Sequence, residues 1–146
     1  MIRLIKLLTV TTYIFMLSSC GKKDSTTTPA DPNIKFKSTL TGAQQTPSNA
    51  SVATGSAFAT YNTDTKLFFV SITYSAGFAP TDGYIHKGAI GISGPSVIHF
   101  TSVSGEAVLT YITATQGADL MSNLYYLNIH SSAYPEGEIR GQLLKQ

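Results

Sequence analysis

The segment YYLNIHSSAYPEGEIRGQL, residues 125–143, holds the densest set of side chains able to do chemistry. Asn128 and His130 are two residues apart, and so are Glu138, Arg140 and Gln142. On a strand, residues two apart point to the same side of a sheet. If the connection SSAYPEG makes these two strands a hairpin, their polar faces meet. One reading is a metal centre: His130, His86 and Glu138 together offer two imidazoles and a carboxylate, the ligand types that Zn or Cu takes. The other reading is structural, a satisfied polar network of Asn128, His130, Glu138, Arg140 and Gln142 that fixes strand register. In it His130 comes close to Glu138 or Arg140, a Glu–Arg ion pair forms, and Gly137 and Gly141 let backbones approach closely. The structural reading is favoured.

Conventional catalysis has less to stand on. GISGP and VSGEA place serines beside glycines but do not form a nucleophile elbow, and no strand-to-helix context exposes one. Neither a phosphate-cradling loop nor a dinucleotide fingerprint occurs. Asp64, Asp82, Glu106, Asp119, Glu136 and Glu138 are scattered, mostly at expected turns. The chain is therefore read as a non-enzyme. Tyr61, Tyr74, Tyr84, Tyr111, Tyr125, Tyr126 and Tyr134 are read mainly as core rings, although a surface cluster could stack on sugars or partner proteins.

The elements that must carry these side chains follow a period of two. IKFKSTL sets Ile34, Phe36 and Ser38 against Lys35, Lys37 and Thr39; GSAFATY sets Ala57, Ala59 and Tyr61 against Ser56, Phe58 and Thr60. KLFFVSITY, dense in aromatic and β-branched residues, follows the turn NTDT. Further strands are expected at 84–87, 96–100, 107–113, 124–130 and 138–144. TQGADLMSN has room for one helical turn, and Gly117 argues against more. About eight short strands without a long amphipathic helix predict an all-β fold, an antiparallel β-sandwich of Greek-key type.

At the N-terminus, Arg3 and Lys6 precede an apolar run over residues 7–17, too short to span a bilayer and shaped like a secretory signal. The run ends in LSSC, which resembles the lipobox of bacterial lipoproteins. Cutting before Cys20, the chain's one cysteine, implies a signal peptide at 1–19 and lipidation of Cys20. Removing Arg3 and Lys6 from ten basic residues leaves eight, equal to the eight acidic ones, so no basic field remains to attract nucleic acid. With Cys20 lipidated there is no intrachain disulfide, so stability must come from the core. Residues 20–33 carry no large apolar side chain and read as the lipidated cysteine and a flexible tether. Residues 34–146 then form one domain.

LTGAQQTP, ATGSAFATYN, GYIHKGAIGISGPSVIHF and YYLNIHSSAYPEGEIRGQL occur in the order and approximate spacing of the CHRD domain, first described in chordin. The resemblance runs over residues 38–144 and is most specific in the last block. It implies an extracellular all-β domain and leaves the role open, because fold does not carry function. Two positions depart from the family pattern: Tyr84 replaces the first histidine of a His-x-His pair that ends in His86, and Gln45 stands where glutamate is common. A distant likeness to the copper–zinc superoxide dismutase sandwich needs more histidines than the three here. His99, at a position usually apolar in the family, is expected at a strand surface or edge.

These readings combine into an exported lipoprotein, held to the membrane by its N-terminal lipid and carrying a non-enzymatic binding or scaffolding domain. Gly21 after Cys20, with no Asp there, favours the outer membrane, on either its periplasmic or its cell-surface face. A protein or glycan partner at the envelope is expected, no nucleic acid, and no cofactor. The alternative is a Cu- or Zn-binding module built on His86 and His130. A hydrolase or dismutase ranks third.

Overall fold

The computed structural model describes residues 30–101 and 107–146. The expected signal peptide at 1–19, Cys20 and the first part of the tether lie outside the described residues. Nine strands follow in chain order: β1 Asn33–Thr41, β2 Thr54–Asn62, β3 Leu67–Tyr74, β4 Pro80–Lys87, β5 Ser96–Phe100, β6 Ala107–Tyr111, β7 Tyr125–Ser131, β8 Ile139–Gln142 and β9 Leu144–Lys145. Among the described residues one α-helix, α1, spans Ala114–Met121 between β6 and β7, and a short 3-10 helix covers Gly42–Gln44 after β1.

All strand pairs are antiparallel, and the order across the sheet is β5-β4-β7-β8-β1-β2-β3-β6, with β9 added beside β1. The pairing is thus continuous from one edge to the other. A single core lies against one face of this whole sheet: Phe36 and Leu40 of β1, Ala57, Ala59 and Tyr61 of β2, Phe68, Val70 and Ile72 of β3, Ile85, Phe100, Leu127, Ile129 and Ile139 are all buried in it. A continuous sheet that encloses one core with one face must curl, and the result is a nearly closed, barrel-like shell. The two halves of the shell meet thinly. Between β8 and β1 the only paired residues are Thr41 and Arg140, before β9 resumes on Phe36 and Lys37.

Alternation explains which side chains enter. In β2 the small Ala59 faces inward between Phe36 of β1 and Val70 of β3, leaving room for both, and each large side chain so buried contributes about 2 kcal/mol. In β3 both faces are apolar, yet the Phe68 face is buried and the Leu67 face is left partly open. The turn between β2 and β3 is held by Asn62, whose Oδ1 accepts from the amides of Asp64 and Thr65.

Helix α1 is longer than the single turn expected. Thr113 caps it: its hydroxyl accepts from the Gln116 amide at 3.1 Å while the Gln116 side chain accepts from the Thr113 amide at 2.8 Å. Gly117, taken from sequence as a breaker, is a packing residue, because a Cβ there would overlap the ring of Tyr61. That contact, with Leu120 fully buried, seats the helix on the core and offsets its weak propensity.

Candidate functional site

The outer face of β4, β7 and β8, the face turned away from the core, carries most of the molecule's chemistry. Register places Tyr84 of β4 opposite Asn128 of β7, and Asn128 opposite Arg140 of β8; the next row sets His86 beside Tyr126 and Tyr126 beside Gln142. Two connections lie over this face, residues 42–53 between β1 and β2 and residues 88–95 between β4 and β5. The polar side chains of β7 and β8 hold both down.

Arg140 is 3% exposed. Its guanidinium donates to the carbonyls of Ile92 at 2.9 Å and Ala89 at 3.3 Å and to the Thr46 hydroxyl at 3.1 Å, and it lies 3.6 Å from the centre of the Tyr126 ring. Among the described residues no carboxylate pairs with it, and burial pulls its pKa below the ordinary arginine value. Gln142 donates to the carbonyls of Gly88 at 2.9 Å and Asn123 at 2.6 Å. Asn128 accepts from Gln45 at 2.7 Å and donates to the Glu136 carbonyl and to His130 Nε2. Gly137, at φ +126°, passes so close to the Asn128 amide that any side chain would collide with it.

Glu138 departs from the alternation read in the sequence. Strand β8 begins at Ile139, so Glu138 precedes the pleat, and its carboxyl group accepts from the hydroxyls of Ser51, at 2.6 Å, and Ser131. The Glu138–Arg140 ion pair expected from sequence is absent among the described residues, and the carboxylate beside His130 is that of Asp82, not Glu138. The proposed ligand set His86, His130 and Glu138 does not assemble either. His86 donates from Nδ1 to the Gly94 carbonyl at 2.8 Å and stacks on Tyr126, while Glu138 is committed to its two serines. Among the described residues no three His, Cys, Asp or Glu side chains gather as a group able to hold a metal ion.

A different set gathers around Tyr84. Its ring stacks on His99 of β5 at 4.4 Å and lies 5.0 Å from the ring of His130. Asp82 sits between the two imidazoles, its carboxylate 3.3 Å from His130 Nδ1 and 3.6 Å from His99 Nε2. With Nε2 accepting from Asn128, the His130 proton resides on Nδ1, facing Asp82. Burial lowers the pKa of His130 and outweighs the opposing pull of Asp82; the neighbouring His86 and His99 also lower it. His99 lies on edge strand β5 with its side chain 48% exposed.

Sequence reasoning places Asp82 among acids mostly at turns, and takes Tyr84 as the break in a chelating pair and as one of seven tyrosines read mainly as core rings. Both belong to β4, where Asp82, Tyr84 and His86 share one face, and that spacing of two was the available signal.

Comparison with known proteins gives one match. A family model, the CHRD domain, covers residues 36–143. No curated protein and no solved structure matches the chain.

Proposed function

The chain belongs to the CHRD family, and on that premise we propose that it is an exported, lipid-anchored protein whose domain binds or scaffolds a partner at the cell envelope without catalysing a reaction. The observation that carries this reading is the commitment of Arg140, Gln142 and Asn128 to the connections 42–53 and 88–95. Groups that an enzyme would direct at substrate are spent here on holding two loops. Those loops expose large apolar side chains on a rigid base: Ile90 is 71% and Ile92 59% exposed, on a segment tied down on both sides. Rigid loops with apolar tips lose little entropy on binding, which suits recognition.

The finer architecture that goes with this reading is a Greek-key sandwich folded along the seam where Thr41 meets Arg140. Anchoring is through Cys20, whose lipid holds the domain to the outer membrane on one of its two faces, with a protein or glycan as partner.

Two measurements test the proposal. Fatty-acid labelling of the expressed protein is expected at Cys20 and lost in Cys20→Ser, with release of the domain from the membrane fraction. A photo-crosslinking residue at Ile90 is expected to trap one reproducible envelope component in intact cells, whereas the same residue at Thr65, exposed in the distant β2–β3 turn, traps none. Equal yields at both positions would sink the binding assignment.

A further inference from the structure

A second candidate site lies beside Glu138. A cleft of about 520 Å³ opens between the turn 75–79, the turn 131–134 and residues Val52 and Ala53. Its volume falls within the range of small-molecule sites. Ala53, Ala76, Ala79, Ala133 and Phe78 make its walls apolar, and Glu138 is among the residues that line it.

The setting of that carboxyl group is unusual. Glu138 is 91% buried, given its 9% exposure. Ser51 donates to Oε1 and Ser131 to Oε2. Each serine is itself oriented by a backbone amide: Ala53 N–H donates to Ser51 Oγ at 3.1 Å and Tyr134 N–H to Ser131 Oγ at 3.3 Å. Both hydroxyl protons are therefore directed at the carboxyl oxygens. Among the described residues, however, no Lys, Arg or His makes an ion pair with it, and the cleft lining contains no basic side chain. A buried carboxylate lacking a cation is costly, and two hydroxyls leave each oxygen with acceptor capacity to spare.

We propose that this cleft binds an ammonium-bearing ligand, its N–H groups donating to Glu138 and its carbon chain lying against Phe78 and the alanines. The ligand's charge supplies the counter-ion that the described residues do not. Its source is either a free small amine or a lysine or N-terminal ammonium of another chain, since the chemistry recognised is the same. The site shares residues 51–53 with the connection 42–53, and its lining includes no residue of the loop 88–95 that presents Ile90 and Ile92.

The test is a titration of the full chain, purified in detergent micelles, with n-butylamine and, in parallel, n-butanol, followed by calorimetry and by the NMR signals of Ala79 and Ala133. A lysine-containing tripeptide and its N-acetylated, lysine-acetylated form make the second pair and distinguish the two sources. Butylamine or the free tripeptide is expected to bind at least about tenfold more tightly than its neutral counterpart. Glu138→Gln is expected to remove that preference. Ala133→Leu, at an exposed position on the cleft wall, fills the space, leaves Glu138 in place and is expected to block binding; it decides the matter if the Gln variant does not fold. Equal affinity for charged and neutral probes, no binding of either amine at millimolar concentration, or binding unchanged by Ala133→Leu would overturn the proposal.

Discussion

The outer face of β7 and β8 and the outer face of β2, β3 and β6 invert the usual rule. The first is built of Asn128, Arg140 and Gln142 and is buried; the second carries Phe58, Leu109 and Tyr111 and is exposed, Tyr111 to 74%. Strands β2, β3 and β6 contain no charged residue at all. Polarity therefore does not decide burial here. What decides it is whether a connection crosses the face, and the crossing connections are fixed by hydrogen bonds that only polar side chains can make. Apolar residues in their place would bury surface but leave the carbonyls of Gly88, Ile92 and Asn123 without these donors.

The contrast can be broken most forcefully at Arg140. Arg140→Ala removes three hydrogen bonds and a ring contact and opens a void, with an expected loss of about 3 kcal/mol in chemical denaturation. Arg140→Met, which keeps the volume and loses the donors, is expected to fall between the two. Next comes Gln142→Ala, which orphans two carbonyls and should cost about 1–2 kcal/mol in the same measurement.

A smaller effect follows from His130. Its folded pKa lies below the ordinary 6.5, so in acid the unfolded chain binds the proton more readily than the folded one. The stability that the neutral imidazole contributes is complete above about pH 6.5 and declines as pH falls from there toward the folded pKa. Thermal midpoints recorded from about pH 7.5 to 5 should fall with acid, and His130→Gln should flatten that slope. The smallest change is expected on the open face: Leu109→Thr and Tyr111→Ser should each shift stability by under about 0.5 kcal/mol, because neither side chain loses buried contacts. A loss at Leu109 comparable to that at Gln142 would mean that the apolar face is covered after all.

Much of the shell was legible in the residues themselves. The alternation of Phe36, Ala57, Ala59, Tyr61, Phe68 and Val70 marks inward positions before any strand is paired, and the Asn62 turn is local chemistry. Helix α1 was underestimated because Gly117 reads as a breaker until Tyr61, far away in the chain, is seen to occupy the space of its missing side chain. The Tyr84 cluster escaped for a related reason: His99 and His130 reach Tyr84 from two different neighbouring strands, so no spacing within one segment reveals them.

By itself, then, the sequence determined the all-β character and the two-residue rhythm that sorts inward from outward positions, since these depend on pleat geometry and near neighbours. Tertiary structure alone decided which outer face is covered, and that Glu138 leaves the row of Arg140 for a pair of serines. Those outcomes rest on contacts such as Thr46 with Arg140 and Ser51 with Glu138, which join residues 94 and 87 positions apart. Local periodicity carries no record of such meetings; they exist only once the shell has closed around its core.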